Sequence, residues 1–99
     1  MKYHLKPSKF FLEQIDELSD DAARILKNKL QLVKQNPFRN KQLTGFDELT
    51  LFRLRMQDRN KEIRPIYLVD KQNIELICIV DRGNEYKDLR KYLRKLGYL

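Results

Sequence analysis

Four arginines and one tyrosine in the second half of the chain have the residue types and spacing of an anion site. Arg53 and Arg55 stand two apart in the run Phe52-Arg53-Leu54-Arg55-Met56. A β-strand there turns both guanidiniums to one face and the apolar set Phe52, Leu54 and Met56 to the other. Arg64 lies in the next β-rich run. Arg82 and Tyr86 follow the last one, in Asp81-Arg82-Gly83-Asn84-Glu85-Tyr86, where Gly83 allows a sharp exit from a sheet. Guanidinium binds phosphate as a bidentate fork and keeps its charge when desolvated. If Arg53, Arg55, Arg64 and Arg82 share one surface, they form a concave phosphate site with Tyr86 at its edge. The same spacing equally describes a solvated sheet face whose arginines pair across strands with Glu62, Asp58 or Glu75.

The charge balance agrees with an anionic partner, either nucleic acid or an acidic protein. The 99 residues carry 21 Lys+Arg against 14 Asp+Glu, for a net charge of +7. The excess sits late, with nine basic against seven acidic residues up to position 50 and twelve against seven after it. It also changes character: Arg24 and Arg39 are the only arginines of the first half. One Cys excludes a disulfide framework, and one His excludes a His pair for acid/base work or a His-rich metal site, so neither metal nor cofactor is expected. The longest apolar run, Leu76 to Val80, is far short of the ~20 residues of a spanning helix, and no basic-then-apolar leader opens the sequence. A soluble, cytoplasmic, single domain over residues 1–99 is expected, with no membrane partner.

The elements that position these residues follow from periodicity. Met1 to Lys6 alternates, with Tyr3 and Leu5 on one face, and predicts a half-buried strand. Pro7-Ser8 opens a helix with an apolar stripe of Phe11, Ile15 and Leu18. Ser19-Asp20-Asp21 caps a second helix through Ile25, Leu26, Leu30 and Val33, which Asn36-Pro37 ends. Residues 37–50 have no period and predict a connection. Three strands follow: Phe52 to Met56, Ile63 to Val69, and the nearly all-apolar Ile74 to Val80 in the sheet interior, with turns at 58–61 and 70–73. Leu89, Tyr92, Leu93 and Leu96 mark a last amphipathic helix that Gly97 stops. The plan is α+β, β-α-α-β-β-β-α: a helical hairpin on a mainly antiparallel sheet with a C-terminal helix.

The strings Lys41-Gln42-Leu43-Thr44-Gly45-Phe46, Leu51-Phe52-Arg53-Leu54-Arg55, Ile63-Arg64-Pro65-Ile66-Tyr67 and Val80-Asp81-Arg82-Gly83-Asn84-Glu85-Tyr86-Lys87 together resemble the RelE/ParE superfamily of type II toxins. The motifs are short, and their order and spacing carry the resemblance over nearly the whole chain. A RelE-like member implies a ribosome-dependent mRNA interferase that cleaves mRNA in the ribosomal A site and is silenced by a small antitoxin protein. It implies catalytic roles for Arg64, Arg82 and Tyr86, RNA phosphate binding by Arg53 and Arg55, and an antitoxin groove at the stripe Leu89, Tyr92, Leu93 and Leu96. A ParE-like toxin that inhibits DNA gyrase without cleaving anything, and a degenerate relative that binds RNA or ribosome without catalysis, are the alternatives. ParE-type members generally lack the full Arg/Tyr set.

Three features depart from the family pattern. Pro65 removes a ladder donor beside Arg64, which predicts an edge or bulged strand there. Asp58 to Lys61 lengthen the hairpin. Arginine replaces the lysine some members carry on the first strand, and arginine does not deprotonate to act as a base. His4 reads as a surface or structural residue, Cys78 as a core thiol, and Asp81 with Glu85 as helix-start charges or ion-pair partners of Arg82 or Lys87.

Overall fold

Ser8 and Ser19 start the two helices. Each has extended backbone and accepts a hydrogen bond from the N–H three residues on, Phe11 at 3.0 Å and Ala22 at 3.1 Å. The computed structural model describes residues 2–46 and 48–99, with the side chains of Asn84, Glu85 and Tyr86 outside the described residues. Helix α1 spans Lys9–Asp16 and α2 spans Asp20–Gln35; their apolar positions Phe11, Ala22, Leu26, Leu30 and Val33 are buried.

The strands are β1 (His4–Pro7), β2 (Lys41–Leu43), β3 (Leu51–Arg53), β4 (Met56–Asp58), β5 (Lys61–Asp70) and β6 (Asn73–Asp81). They form one sheet in the order β1-β6-β5-β3-β2, with β4 also on β5; β1 runs parallel to β6 and every other pair is antiparallel. A short 3-10 turn at Arg82–Asn84 leads into α3 (Glu85–Lys95). The α+β plan holds, with two differences in the sheet. The connection contains β2, too short to show a period, and the run Phe52 to Met56 is split into β3 and β4.

Pro65 explains the split. Leu54 N donates to Pro65 O at 2.8 Å, so the Pro65 peptide faces the β3–β4 side, where its ring nitrogen offers no donor. The chain leaves the ladder at Leu54-Arg55 and rejoins it at Met56, opposite Ile63. The sequence reading expects Pro65 on an edge or bulged strand. Instead β5 is central, and the irregularity falls on the strand facing it.

Across the sheet from this point, the outer edge of β6 runs past the end of β1. Its backbone groups are satisfied by side chains. Ser8 Oγ donates to Ile77 O at 2.8 Å, and Gln14 donates from Nε2 to Ile79 O (2.8 Å) while its Oε1 accepts from Ile79 N (2.7 Å). The Gln14 amide thus continues the sheet edge as a one-residue strand.

Each face of the sheet has its own core. Phe52, Leu54, Met56, Ile63, Tyr67, Ile74, Leu76 and Ile79 pack with the helical hairpin, whereas Leu51, Ile66, Leu68, Ile77, Cys78 and Val80 pack under Leu89 and Leu93 of α3. A bulge at Ile77, between the pairs Ile66↔Cys78 and Tyr67↔Leu76, puts two consecutive β6 residues into the α3 core. Cys78 is fully buried, and burial pushes its thiol up to about 12, consistent with a core role. Tyr67 stacks on Phe52 with ring centroids 5.4 Å apart. Its hydroxyl donates to Pro37 O (2.7 Å) and accepts from Asn40 Nδ2 (3.1 Å), tying the connection after α2 to the sheet. Gly97 ends α3 at φ 89°, with Tyr98 N donating to Leu93 O at 2.8 Å.

The two hairpin turns differ in their backbone. Arg59 and Asn60 both have positive φ, 53° and 66°, the type I′ pattern. In the second turn Lys71 has φ 57° and an exposed side chain. Lys71→Gly is expected to relieve about 1 kcal/mol of left-handed strain and raise the thermal midpoint by a few degrees. An unchanged or lower midpoint contradicts this.

Candidate functional site

Backbone alternation gathers the strand arginines on the α3 side of the sheet. Glu62 and Arg64 stand two apart on β5, Arg64 opposite Val80, and Arg53 lies opposite Ile66, whose side chain belongs to the α3 core. Arg53 therefore shares a face with Glu62 and Arg64. Arg55, just outside the ladder, reaches the same carboxylate: its Nη2 donates to Glu62 Oε1 at 3.2 Å, and Arg64 Nε donates to Glu62 Oε2 at 2.8 Å.

The three arginines sit in different surroundings. Arg64 is buried, with 11% of its side chain exposed, beside Glu62 at 16%, whereas Arg55 is 59% exposed. Arg53 is partly buried. Its Nε and Nη1 are shielded from solvent and have no hydrogen-bond partner among the described residues. Buried guanidinium N–H groups without an acceptor are costly, and such a group is where a ligand's oxygen gains most. Arg82 is exposed in the 3-10 turn at the end of β6. The Tyr86 side chain, which the sequence adds to this set, lies outside the described residues, as does that of Glu85.

Sequence spacing anticipates the shared face of Arg53 and Arg55, and the pairing with Glu62 that it allowed is present. Arg55 and Arg64 pair across and along strands with Glu62, while two Arg53 donors have no partner among the described residues. What sequence misses is that one carboxylate serves two arginines. The signal available for it was the i, i+2 spacing of Glu62 and Arg64 with Pro65 beside them. Asp81 pairs with Lys61 at 2.9 Å, not with Arg82 or Lys87, because the register sets Asp81 opposite Ile63, two residues from Lys61. That pair borders a cleft of about 260 Å³ lined by Gln14, Glu17, Asp58 and Arg59, among others. Asp58 there accepts weakly from Ser19 N at 3.4 Å, joining the hairpin to the α1–α2 turn.

The hydrogen bond from Arg64 holds the Glu62 carboxyl below its ordinary 4.5; burial opposes this and Arg55 adds to it. With the folded value below the unfolded one, the stabilisation is present above pH ~4.5 and is lost as pH falls through the folded value. Thermal melts from pH 7 to pH 3 are expected to fall more steeply for the wild type than for Glu62→Gln, and equal slopes contradict the pairing.

The stripe Leu89, Tyr92, Leu93 and Leu96 lies against the sheet. Leu89 and Leu93 are fully buried, and Tyr92 and Leu96 are partly buried against the same core. Arg90 pins the helix by donating to Gly45 O at 3.0 Å and lying 4.7 Å over the Phe46 ring, and Phe10 packs on Tyr92 at 4.8 Å. With α3 in place Leu89 and Leu93 are core, and a partner reaches them by lifting α3.

The helical hairpin, the five-strand path with β4 appended, and the C-terminal helix over the second face constitute a RelE-like fold. The free E. coli toxin RelE, solved as a double arginine-to-alanine variant, matches with a TM-score of 0.71 at 21% identity, over 96% of this chain and 97% of that one. The intact E. coli RelBE toxin-antitoxin complex matches at a TM-score of 0.67 and 22% identity, over 82% of this chain and 98% of that one. The RelE-RelB complex of the archaeon Pyrococcus horikoshii OT3 matches at 0.66 and 22%, over 84% and 98%. No protein-family model and no curated protein matches the sequence. Among the described residues, no helix is long and apolar enough to cross a membrane.

Proposed function

We propose that this protein is the toxin of a type II toxin-antitoxin system, a cytoplasmic endoribonuclease that cleaves mRNA in the ribosomal A site and is neutralised by a small antitoxin. The observation that carries the reading is the pair of buried Arg53 nitrogens, without a partner among the described residues, on the same face as Arg55 and Arg64, in a fold shared with RelE along nearly the whole chain. Cleavage by the neighbouring 2′-hydroxyl requires in-line attack on the phosphate and stabilisation of the charge that grows on the phosphorane. Arg53 and Arg64 supply fixed donors for that charge, Arg55 and Arg82 supply more exposed ones, and Tyr86 is assigned to the leaving or attacking oxygen.

None of the arginines deprotonates, so the protein contributes electrostatics more than proton abstraction, and losing a general base forfeits about 10²–10⁴ in rate. Dependence on the ribosome fits such a catalyst, because the ribosome imposes the in-line geometry on the message. The antitoxin is assigned to the surface now covered by α3, where Leu89, Tyr92, Leu93 and Leu96 pack.

Expression in a translation extract, with primer-extension mapping of a reporter mRNA, tests the assignment. New ribosome-dependent cuts that disappear in Arg64→Ala and Arg82→Ala, both verified as folded by thermal melts, are the expected result. Intact mRNA accompanied by relaxed or broken DNA overturns it in favour of a gyrase inhibitor.

A further inference from the structure

Among the described residues, Glu62 is the acidic side chain bonded to two of the site's arginines. Its two oxygens are used separately, Oε1 by Arg55 and Oε2 by Arg64, and with 16% of its side chain exposed it is largely screened from water. A carboxylate and a non-bridging phosphate pair present the same feature to a guanidinium: two anionic oxygens about 2.2–2.5 Å apart in a fork. Arg55 and Arg64 come from different segments, one leaving the ladder at the Pro65 break and one on central β5. Glu62 is what draws their cationic ends to a common anion.

We propose that Glu62 is an internal stand-in for the RNA phosphate: it occupies the anion position between Arg55 and Arg64 in the free protein and gives way when a phosphate arrives. The inference rests on the RNA-cleaving reading above. In the free state the carboxylate holds the arginines at phosphate spacing and lowers the self-repulsion of a site where Arg53, Arg55 and Arg64 crowd together. On binding, two acceptors compete for the same donors, so Glu62 weakens the grip on phosphate. Free RNA is thereby disfavoured, and a substrate held by additional interactions, such as mRNA on the ribosome, binds at its expense. Glu62 acts here through charge and position. It is already ionised and hydrogen-bonded to two cations, which makes it a poor proton acceptor.

The test is binding of a fluorescein-labelled 12-nucleotide 2′-O-methyl RNA, which has no 2′-hydroxyl to attack, measured at several salt concentrations. Glu62→Gln keeps the shape and removes the charge. Asp21→Asn, at an exposed α2 residue paired with Arg24, raises the net charge equally at a distance from the site. Glu62→Gln is expected to bind about five- to tenfold more tightly than Asp21→Asn, with a log–log salt slope steeper by about 0.7 for each further phosphate that the freed arginines neutralise. Glu62→Ala is expected to change affinity in the same direction, and thermal melts establish that each variant is folded.

Equal affinities for the folded Glu62 variants and Asp21→Asn, or weaker binding by the Glu62 variants, overturn the stand-in role and leave Glu62 as a support for Arg64. If Arg53→Ala and Arg55→Ala do not weaken wild-type binding, the phosphate site itself fails, and the stand-in role with it.

Discussion

Replacing Arg53 by methionine is expected to lower mRNA cleavage by about 10²–10³-fold while raising the thermal midpoint. In the proposed function Arg53 is a preorganised donor to the phosphorane, and losing one such donor has an effect of that size in sites that stabilise an oxyanion. The gain in stability follows from the free protein: two guanidinium nitrogens are buried with no acceptor among the described residues, at a cost of about 1–3 kcal/mol in fully buried sites. Because Arg53 is only partly buried, about 1 kcal/mol is expected from a side chain of similar length that needs no partner. Cleavage is followed by primer extension and stability by thermal melting of the purified protein. A variant that cleaves normally removes Arg53 from the site. One that is less stable shows that its donors are satisfied in solution.

The largest effect on stability outside the apolar core is expected at Gln14, whose side chain bonds to the backbone of Ile79. Gln14→Leu keeps the bulk of the side chain and deletes both bonds to Ile79, leaving its N–H and C=O without the partners they have at 2.7 and 2.8 Å. Each orphaned backbone group costs about 1–3 kcal/mol when buried. Part of that is recovered here from water, so a destabilisation of about 2 kcal/mol is expected. Urea titration reads it as a lower midpoint at unchanged slope. A change below about 0.5 kcal/mol means that solvent replaces Gln14 without penalty.

These two residues also mark how far the sequence could be read. The helices were legible because their information is local: Ser8 and Ser19 cap, and Phe11 and the Ala22-Leu26-Leu30-Val33 series bury one stripe. The buried β6 strand was legible from its apolar run. Arg53 and Arg55 look equivalent in sequence, two apart in one alternating run, yet one is partly buried with donors that lack a partner among the described residues, and the other is exposed and ion-paired. Their difference is imposed from the next strand, by Pro65, whose missing N–H opens the ladder between them. The same non-local origin hid β2, which is three residues long, and Gln14, which in sequence is an ordinary polar position on an amphipathic helix. It also hid the shared use of Glu62.

The parallel pairing of β1 with β6 has a consequence for how the molecule assembles. Ser8 bonds to Ile77 across 69 residues of chain, so the first strand made must wait for the last one before either edge is complete. The β5–β6 hairpin, joined by a two-residue turn, closes its loop at little entropic cost, and docking of the N-terminal strand and hairpin helices closes a far longer one. During synthesis the arginine-bearing strands therefore gain the partner strand that completes their sheet only when β6, through Asp81, has emerged. On the proposed function, the arginine site is assembled only once that strand is in place.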